Sequence, residues 1–261
     1  MSLTLDIGAT GMLAQQLNVD TISNNVANMT TTGFKRQRAQ FQDLLYQTKI
    51  QPGAASSDST TIPSGIQQGL GVKAGSIYRI NEQGAFQNTS NPLDLAVKGV
   101  GYFQVTLPTG ETAYTRDGTF QMDQSGQVVT SKGYLVQPGI TIPSGAVGIT
   151  INAAGQVLVK VQGQTALSNV GQLQLAAVPT EAGLDAIGDN LFMETEASGA
   201  ATTGNPAATG FGSLEQGMLE SSNVNIVQEI TSLIQAQRAY EMNSKVIQTG
   251  DQMMNTITQL R

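Results

Sequence analysis

The feature that most constrains this chain is a seven-residue apolar repeat at each end, with nothing like it between. Near the N-terminus Leu5, Met12, Val19 and Val26 recur every seventh residue, and Ile22 and Met29 fall three positions after Val19 and Val26. Leu13 and Leu17 widen this stripe. A spacing of three and four residues puts apolar side chains on one face of a helix. The pattern predicts a helix over about residues 3–28, ending near Gly33, with Lys35, Arg36 and Arg38 favourably placed against its C-terminal dipole. At the other end Leu233, Tyr240, Ile247 and Met254 keep the same period, with Ala239, Val246, Met253 and Leu260 beside them. Ile226, Ile230 and Ile257 extend that face, and Ser222 or Asn223 is the expected N-cap. Neither helix has a second local helix to pack on, so the two are expected to pair. One pair buries one seam and leaves other faces bare, which points to self-association. Leu5, Met12, Val19, Ile22, Val26, Leu233, Tyr240, Ile247 and Met254 are the predicted seam residues between subunits.

The middle of the chain, roughly residues 69–204, follows another period. Short runs of alternating or β-branched residues (AFQ, DLAV, YFQVTL, AYTR, GTFQMD, QVVT, ITINA, QVLVKV and LQLAAV) are separated by turn residues such as Asp117-Gly118 and Ala154-Gly155. This reads as one antiparallel β domain. Two stretches rich in Gly, Ala, Ser, Thr and Pro, 51–65 and 197–210, read as extended linkers on either side of it. The expected fold class is therefore α+β: paired long terminal helices with a β-rich domain inserted between them.

Composition excludes most enzymatic chemistry. The 261 residues contain no His, Cys or Trp, so imidazole-based triads, thiolate nucleophiles and zinc fingers are impossible. A net charge of −6 and a pI near 4.6 argue against nucleic acid as a partner. Charged residues make up only 12% of the chain, which suits a surface largely covered by other copies. Gly69-Leu70-Gly71 and Gly99-Val100-Gly101 resemble fragments of phosphate loops but neither opens a helix, and Asp117, Asp123 and Gly126 miss the spacing of a calcium loop. No catalytic residue, metal ligand or cofactor is expected. No run reaches the 18 apolar residues of a membrane span, so no membrane insertion is expected, and the first residues do not read as a cleaved signal peptide.

The most unusual local sequence is SNNVANMTTTGFKR at 23–36. Asn is a mediocre helix former, yet Asn24, Asn25 and Asn28 fall within five positions. Their amides can cap the helix end, fix its register or bond the backbone of a neighbouring subunit. This segment, with ATGMLAQQ at 9–16 and FQDLLYQ at 41–47, resembles the N-terminal signature of the bacterial flagellar rod and hook protein family, in which Asn24, Asn25, Asn28, Gly33 and Phe34 are the signature residues. QGMLESSNVNIVQEI at 216–230 and IQAQRAYEMNSKVIQTGDQMM at 234–254 resemble the family's C-terminal signature. DLAVKGVGYFQV, AYTRDGTFQMD and SNVGQL are similar to its β domain. The length, and the QPG that follows FQDLLYQ, are most like the distal-rod branch.

The resemblance implies an inner domain formed by the helix of residues 1–34 and the C-terminal part 211–261, a connecting segment 35–70, and a β-rich outer domain 71–210. It implies a subunit exported without a cleaved signal through the flagellar export apparatus, polymerising with itself into a straight periplasm-spanning tube. That tube would carry torque, enclose the export channel, join proximal rod and hook subunits at its ends, and turn inside the peptidoglycan and outer-membrane rings. Gln51, Pro52, Gly53, Pro63 and Gly65 lie in the insert that would stiffen the rod. From Val161 to Gln237 there are eight acids and no base. Among them Glu181, Asp185, Asp189, Glu194 and Glu196 would face the rings as a non-sticking surface, or simply form a solvated acidic face. The alternatives are a proximal rod or hook subunit of the same family, and a secreted β-domain binding module or enzyme.

Overall fold

The computed structural model describes residues 3–52, 55–57, 60–61, 64–163 and 166–259. The chain divides into two compact units, one made of Met1–Ala27, Gln37–Tyr78 and Asn225–Arg261, the other of Asn28–Arg36 and Arg79–Val224. As the repeats predict, helix α1 spans Leu3–Ala27 and helix α2 spans Ile226–Gln259, with a β-rich antiparallel middle between them.

In the first unit α1 and α2 pack on each other. Small residues let them approach. A Cβ on Gly8 would stand 2.7 Å from Ile247 Cγ1, and one on Gly11 would stand 2.8 Å from Asn243 Nδ2. One turn nearer the start of α1, Leu5 Cδ2 lies 3.5 Å from where a Cβ on Gly250 would be. Residues paired this way sum to about the same number, so the helices run antiparallel. Ala14, Ile22 and Ala236 are buried along the same helices. Asn225 caps α2, its Oδ1 accepting from the Val227 and Gln228 amides at 3.1 and 3.3 Å. The predicted caps Ser222 and Asn223 lie too far upstream, and Asn223 is committed elsewhere.

The segment expected to be a mere connector holds strands. Gln37–Asp43 pairs with Val72–Arg79, and Tyr46–Ile50 pairs antiparallel with Ile66–Gly69. The predicted linker 51–65 thus lies across the end of a hairpin, with a further short pair, Ala55–Ser57 and Thr60–Thr61, inside it. Tyr46, Thr48 and Ile50 supply the strand preference that the Gly- and Ser-rich composition downstream obscured.

The second unit is built on strand Tyr102–Thr106, which pairs on one edge with Thr112–Thr115 and on the other with Leu135–Val136 and Leu175–Ala177. Period-2 alternation sends Phe103 and Val105 into the main core with Leu95, Phe120, Val157 and Leu175. The Phe103 and Phe120 rings meet edge to face at 4.9 Å. Tyr102 points to a second cluster with Tyr114, Val178 and Leu184. A three-stranded sheet, Ala146–Ile151, Gln156–Val161 and Ser168–Gln172, closes the main core. The predicted linker 197–210 also belongs here, because Thr202–Gly204 pairs with Leu175–Ala177.

Candidate functional site: helix faces and a buried charge cluster

Two kinds of feature stand out, the apolar faces that α1 and α2 leave uncovered and a buried polar cluster in the β unit. The seam between the chain's own helices uses glycine and alanine, which leaves larger apolar side chains outside it. Val227 is 76% exposed and Leu13 67% exposed. Ile230, Ile234, Tyr240, Met242, Val246, Met253 and Met254 are also exposed on α2. Of the predicted seam residues, Leu5 and Ile247 contact the partner helix of the same chain and Ile22 is buried. Met12, Val19, Val26 and Leu233 are half-buried, while Tyr240 and Met254 face outward. Among the described residues no helix is long and apolar enough to cross a membrane.

The asparagine signature separates into distinct jobs. Asn25 is buried, and its carboxamide imitates a strand partner. It accepts from the Gln37 amide at 2.8 Å and donates to the Gln37 carbonyl at 2.8 Å. The same nitrogen lies 3.2 Å from Glu229 Oε2 of α2, so one side chain joins α1, the strand beginning at Gln37 and α2. Asn28 accepts from the Thr31 hydroxyl at 3.1 Å, and Asn24 is on the exposed side of α1. Gly33 adopts φ +68°, which favours glycine, and its amide donates to the Glu220 carbonyl at 2.8 Å. Phe34 is half-buried beside it.

Lys35 does not serve the helix dipole. Helix α1 ends at Ala27, and Lys35 is buried with its Nζ 2.5 Å from Glu220 Oε1 and 2.9 Å from the Glu82 carbonyl. Arg116 Nη1 lies 3.4 Å from the other Glu220 oxygen, and the Gly84 amide donates to Oε1 at 3.0 Å. Glu220 is only 1% exposed. Burial outweighs the Glu220 contact and lowers the Lys35 pKa. Asn223 sits beside this triad. Its Oδ1 accepts from the Arg36 amide at 2.7 Å, and its Nδ2 donates to the Ile80 and Glu82 carbonyls at 2.8 and 3.0 Å. Asn223 carried only the N-cap signal, which named the wrong job, and the acid-only stretch hid the partners of Glu220, which come from residues 35 and 116.

Of the predicted ring-facing acids, Asp185, Asp189, Glu194 and Glu196 are exposed and Glu181 is half-buried. A base from outside the acidic stretch reaches one of them. Lys132 pairs with Asp189 at 3.4 Å. This pair rims a small polar cavity of about 160 Å³ that Thr115, Asp117 and Asn190 also line. Glu194 accepts from the Tyr114 hydroxyl and the Ala201 amide, both at 3.1 Å. Burial and the adjacent Glu194 push the Tyr114 pKa up to about 12. Burial, with Glu181 close by, likewise raises that of Tyr102. In the insert, Gln51 and Pro52 are exposed, and a Cβ on Gly65 would collide with the Ile50 carbonyl. Gly53 and Pro63 lie outside the described residues. Among the described residues, no group of three or more carboxylates could hold a metal ion.

The chain combines a β unit stabilised from within with a helix pair that leaves large apolar side chains such as Leu13, Val227 and Met242 exposed. Three family models match it: "Flagella basal body rod protein" over residues 5–35, "Flagellar hook protein FlgE/F/G D1 domain" over 96–159, and "Flagellar basal body rod FlgEFG protein C-terminal" over 215–260. The chain is 61% identical over 258 residues to the flagellar basal-body rod protein FlgG of Caulobacter vibrioides, covering 98% of each. It is 46% identical to FlgG of Borreliella burgdorferi, covering 100% of this chain and 99% of that one. Similarity to the flagellar hook-basal body complex protein FlhP of Bacillus subtilis is lower, 33% over 94% of each chain. The chain belongs to the flagellar basal-body rod protein family, and is a non-enzymatic structural component of the flagellar basal body.

Proposed function

We propose that this protein is the subunit of the distal rod, polymerising into a straight, rigid helical tube that transmits motor torque and encloses the export channel. Full-length identity of 61% to a basal-body rod protein carries the assignment. The uncovered apolar residues of α1 and α2 supply a physical route to the polymer. An isolated helix pair gains stability when neighbouring copies remove such side chains from water, at about 25 cal/mol per Å² of apolar surface. The predicted seam residues divide accordingly. Leu5, Ile22 and Ile247 hold the chain's own pair in a coiled-coil-like inner domain, while Tyr240 and Met254, with Val227 and Ile230, are free to meet neighbouring copies.

The hairpin Tyr46–Ile50 and Ile66–Gly69 is the stiffening element in this reading. It offers Leu45, Tyr46, Ile50 and Ile66 as exposed apolar residues. Proximal rod and hook subunits would join the two ends of the tube, and the exposed acids Asp185, Asp189, Glu194 and Glu196 would face the peptidoglycan and outer-membrane rings. The subunit would reach this place through the flagellar export apparatus, without a cleaved signal peptide, and span the periplasm. Deleting residues 51–65 tests the branch assignment. A distal rod subunit lacking them should still polymerise but give curved or flexible tubes by electron microscopy. Straight tubes from the deletion variant would contradict the stiffening role.

A further inference from the structure

The buried cluster around Glu220 has a consequence for how the helices find each other. Roughly 200 residues of chain separate the end of α1 at Ala27 from the start of α2 at Ile226. Both helices are marginal alone, so bringing them together from that separation opposes pairing. Within the β unit, however, the segment leaving α1 and the segment entering α2 are already fastened to one another. The Gly33 amide bonds the Glu220 carbonyl, Lys35 bonds the Glu220 carboxylate, and the Arg36 amide bonds Asn223. Asn223 also bonds the Ile80 and Glu82 carbonyls, and the Ile80 amide bonds the Arg36 carbonyl. One asparagine thus ties the start of 79–224, its end, and the end of 28–36 into a single knot. All of these bonds lie within the β unit.

We propose that this knot, centred on Glu220 and Asn223, is a tether that presents the two helices to each other before they pair. Through the knot, the path from Ala27 to Ile226 is about a dozen residues, counted along 28–33 and then 220–225. Loop-closure probability falls as about the three-halves power of length, so shortening roughly 200 residues to about 12 raises the effective concentration of one helix at the other about 70-fold. The β unit therefore acts as an assembly platform. Once it is folded, the ends of the chain meet as near neighbours in the sequence would.

The absence of native cysteines makes the test clean. In the full-length chain, Leu5→Cys and Gly250→Cys place two thiols on facing positions of the helix pair. Equilibrium with reduced and oxidised glutathione then gives their effective concentration in dilute monomer. A flexible Gly/Ser insertion of about 20 residues between Val224 and Asn225 lengthens the short path from about 12 to about 32 residues, and should lower that concentration about fourfold. The same insertion after Gly110, in an open turn of the β unit, should leave it unchanged. In urea, with the near-ultraviolet signal of the β unit lost, either insertion adds about 20 residues to a loop of about 200 and should change it by only about 1.2-fold. If the Val224 insertion has no more effect in buffer than in urea, or the two insertions act equally in buffer, the tether is wrong.

Discussion

Replacing Glu220 by Gln tests the cluster that holds the β unit closed. The carboxylate is 1% exposed and meets Lys35 Nζ at 2.5 Å, Arg116 Nη1 at 3.4 Å and the Gly84 amide at 3.0 Å. The amide keeps the shape but removes the charge, leaving two buried cations to face an NH₂ group and each other. Breaking a buried pair by removing one partner costs about 3–5 kcal/mol, far above the 0–1 kcal/mol of an exposed ion pair. For a unit of about 150 residues, where 1 kcal/mol moves the midpoint by about 2–4 °C, that is a fall of roughly 10 °C. Near-ultraviolet circular dichroism follows this unit, because Tyr102 and Tyr114 are packed inside it and the chain has no Trp. Lys35→Met, Arg116→Met and Glu220→Leu combined should recover the part of the loss that comes from uncompensated charge, while the Gly84 amide and the Gly99 carbonyl, which lose these side-chain partners, keep a residual cost of about 1–3 kcal/mol each. A loss below about 1 kcal/mol for Glu220→Gln would show that the cluster does not close the unit.

Other substitutions separate the seam inside the subunit from the faces outside it. Gly8→Leu should disrupt the helix pair, because even a Cβ there would stand 2.7 Å from Ile247 Cγ1; lower amide-exchange protection over 226–259 with unchanged β-unit unfolding is the expected reading. Ile230→Asp should leave monomer stability within about 0.5 kcal/mol, since Ile230 is exposed, yet raise the critical concentration for polymerisation at least tenfold, measured by sedimentation. Tyrosinate absorbance gives a pH test. The Tyr114 phenol has a folded pKa raised to about 12 from 10, so the folded state holds its proton longer than the unfolded state does. Stability from this group is therefore complete below pH 10 and lost as pH rises towards 12. Tyr114→Phe should remove one late-titrating phenol and flatten the stability loss over that window.

The two terminal helices were legible because a seven-residue repeat survives in any sequence that buries one helical face, and the β runs from 94 to 178 because alternation there is undisturbed. What composition concealed was structure held together by partners distant in sequence. The strand Thr202–Gly204 lies in a Gly-, Ala- and Thr-rich stretch whose local preference is for loops, and pairing with Leu175–Ala177 overrides it. Lys35 was misplaced for a similar reason. Helix-dipole reasoning uses only near neighbours, whereas its partner Glu220 lies 185 positions away. The seam itself was half legible. The heptads marked the right helices, but Gly8, Gly11 and Gly250, which a hydrophobic repeat ignores, set how closely the helices approach.

The most direct test of the central claim is to concentrate the purified full-length protein and image what forms by electron cryomicroscopy. The account predicts straight helical tubes in which α1 and α2 form the inner wall, Val227, Ile230 and Tyr240 lie against neighbouring copies, and the β unit lies outside. A protein that stays monomeric at high concentration, or tubes whose inner wall is built from the β unit, would contradict it.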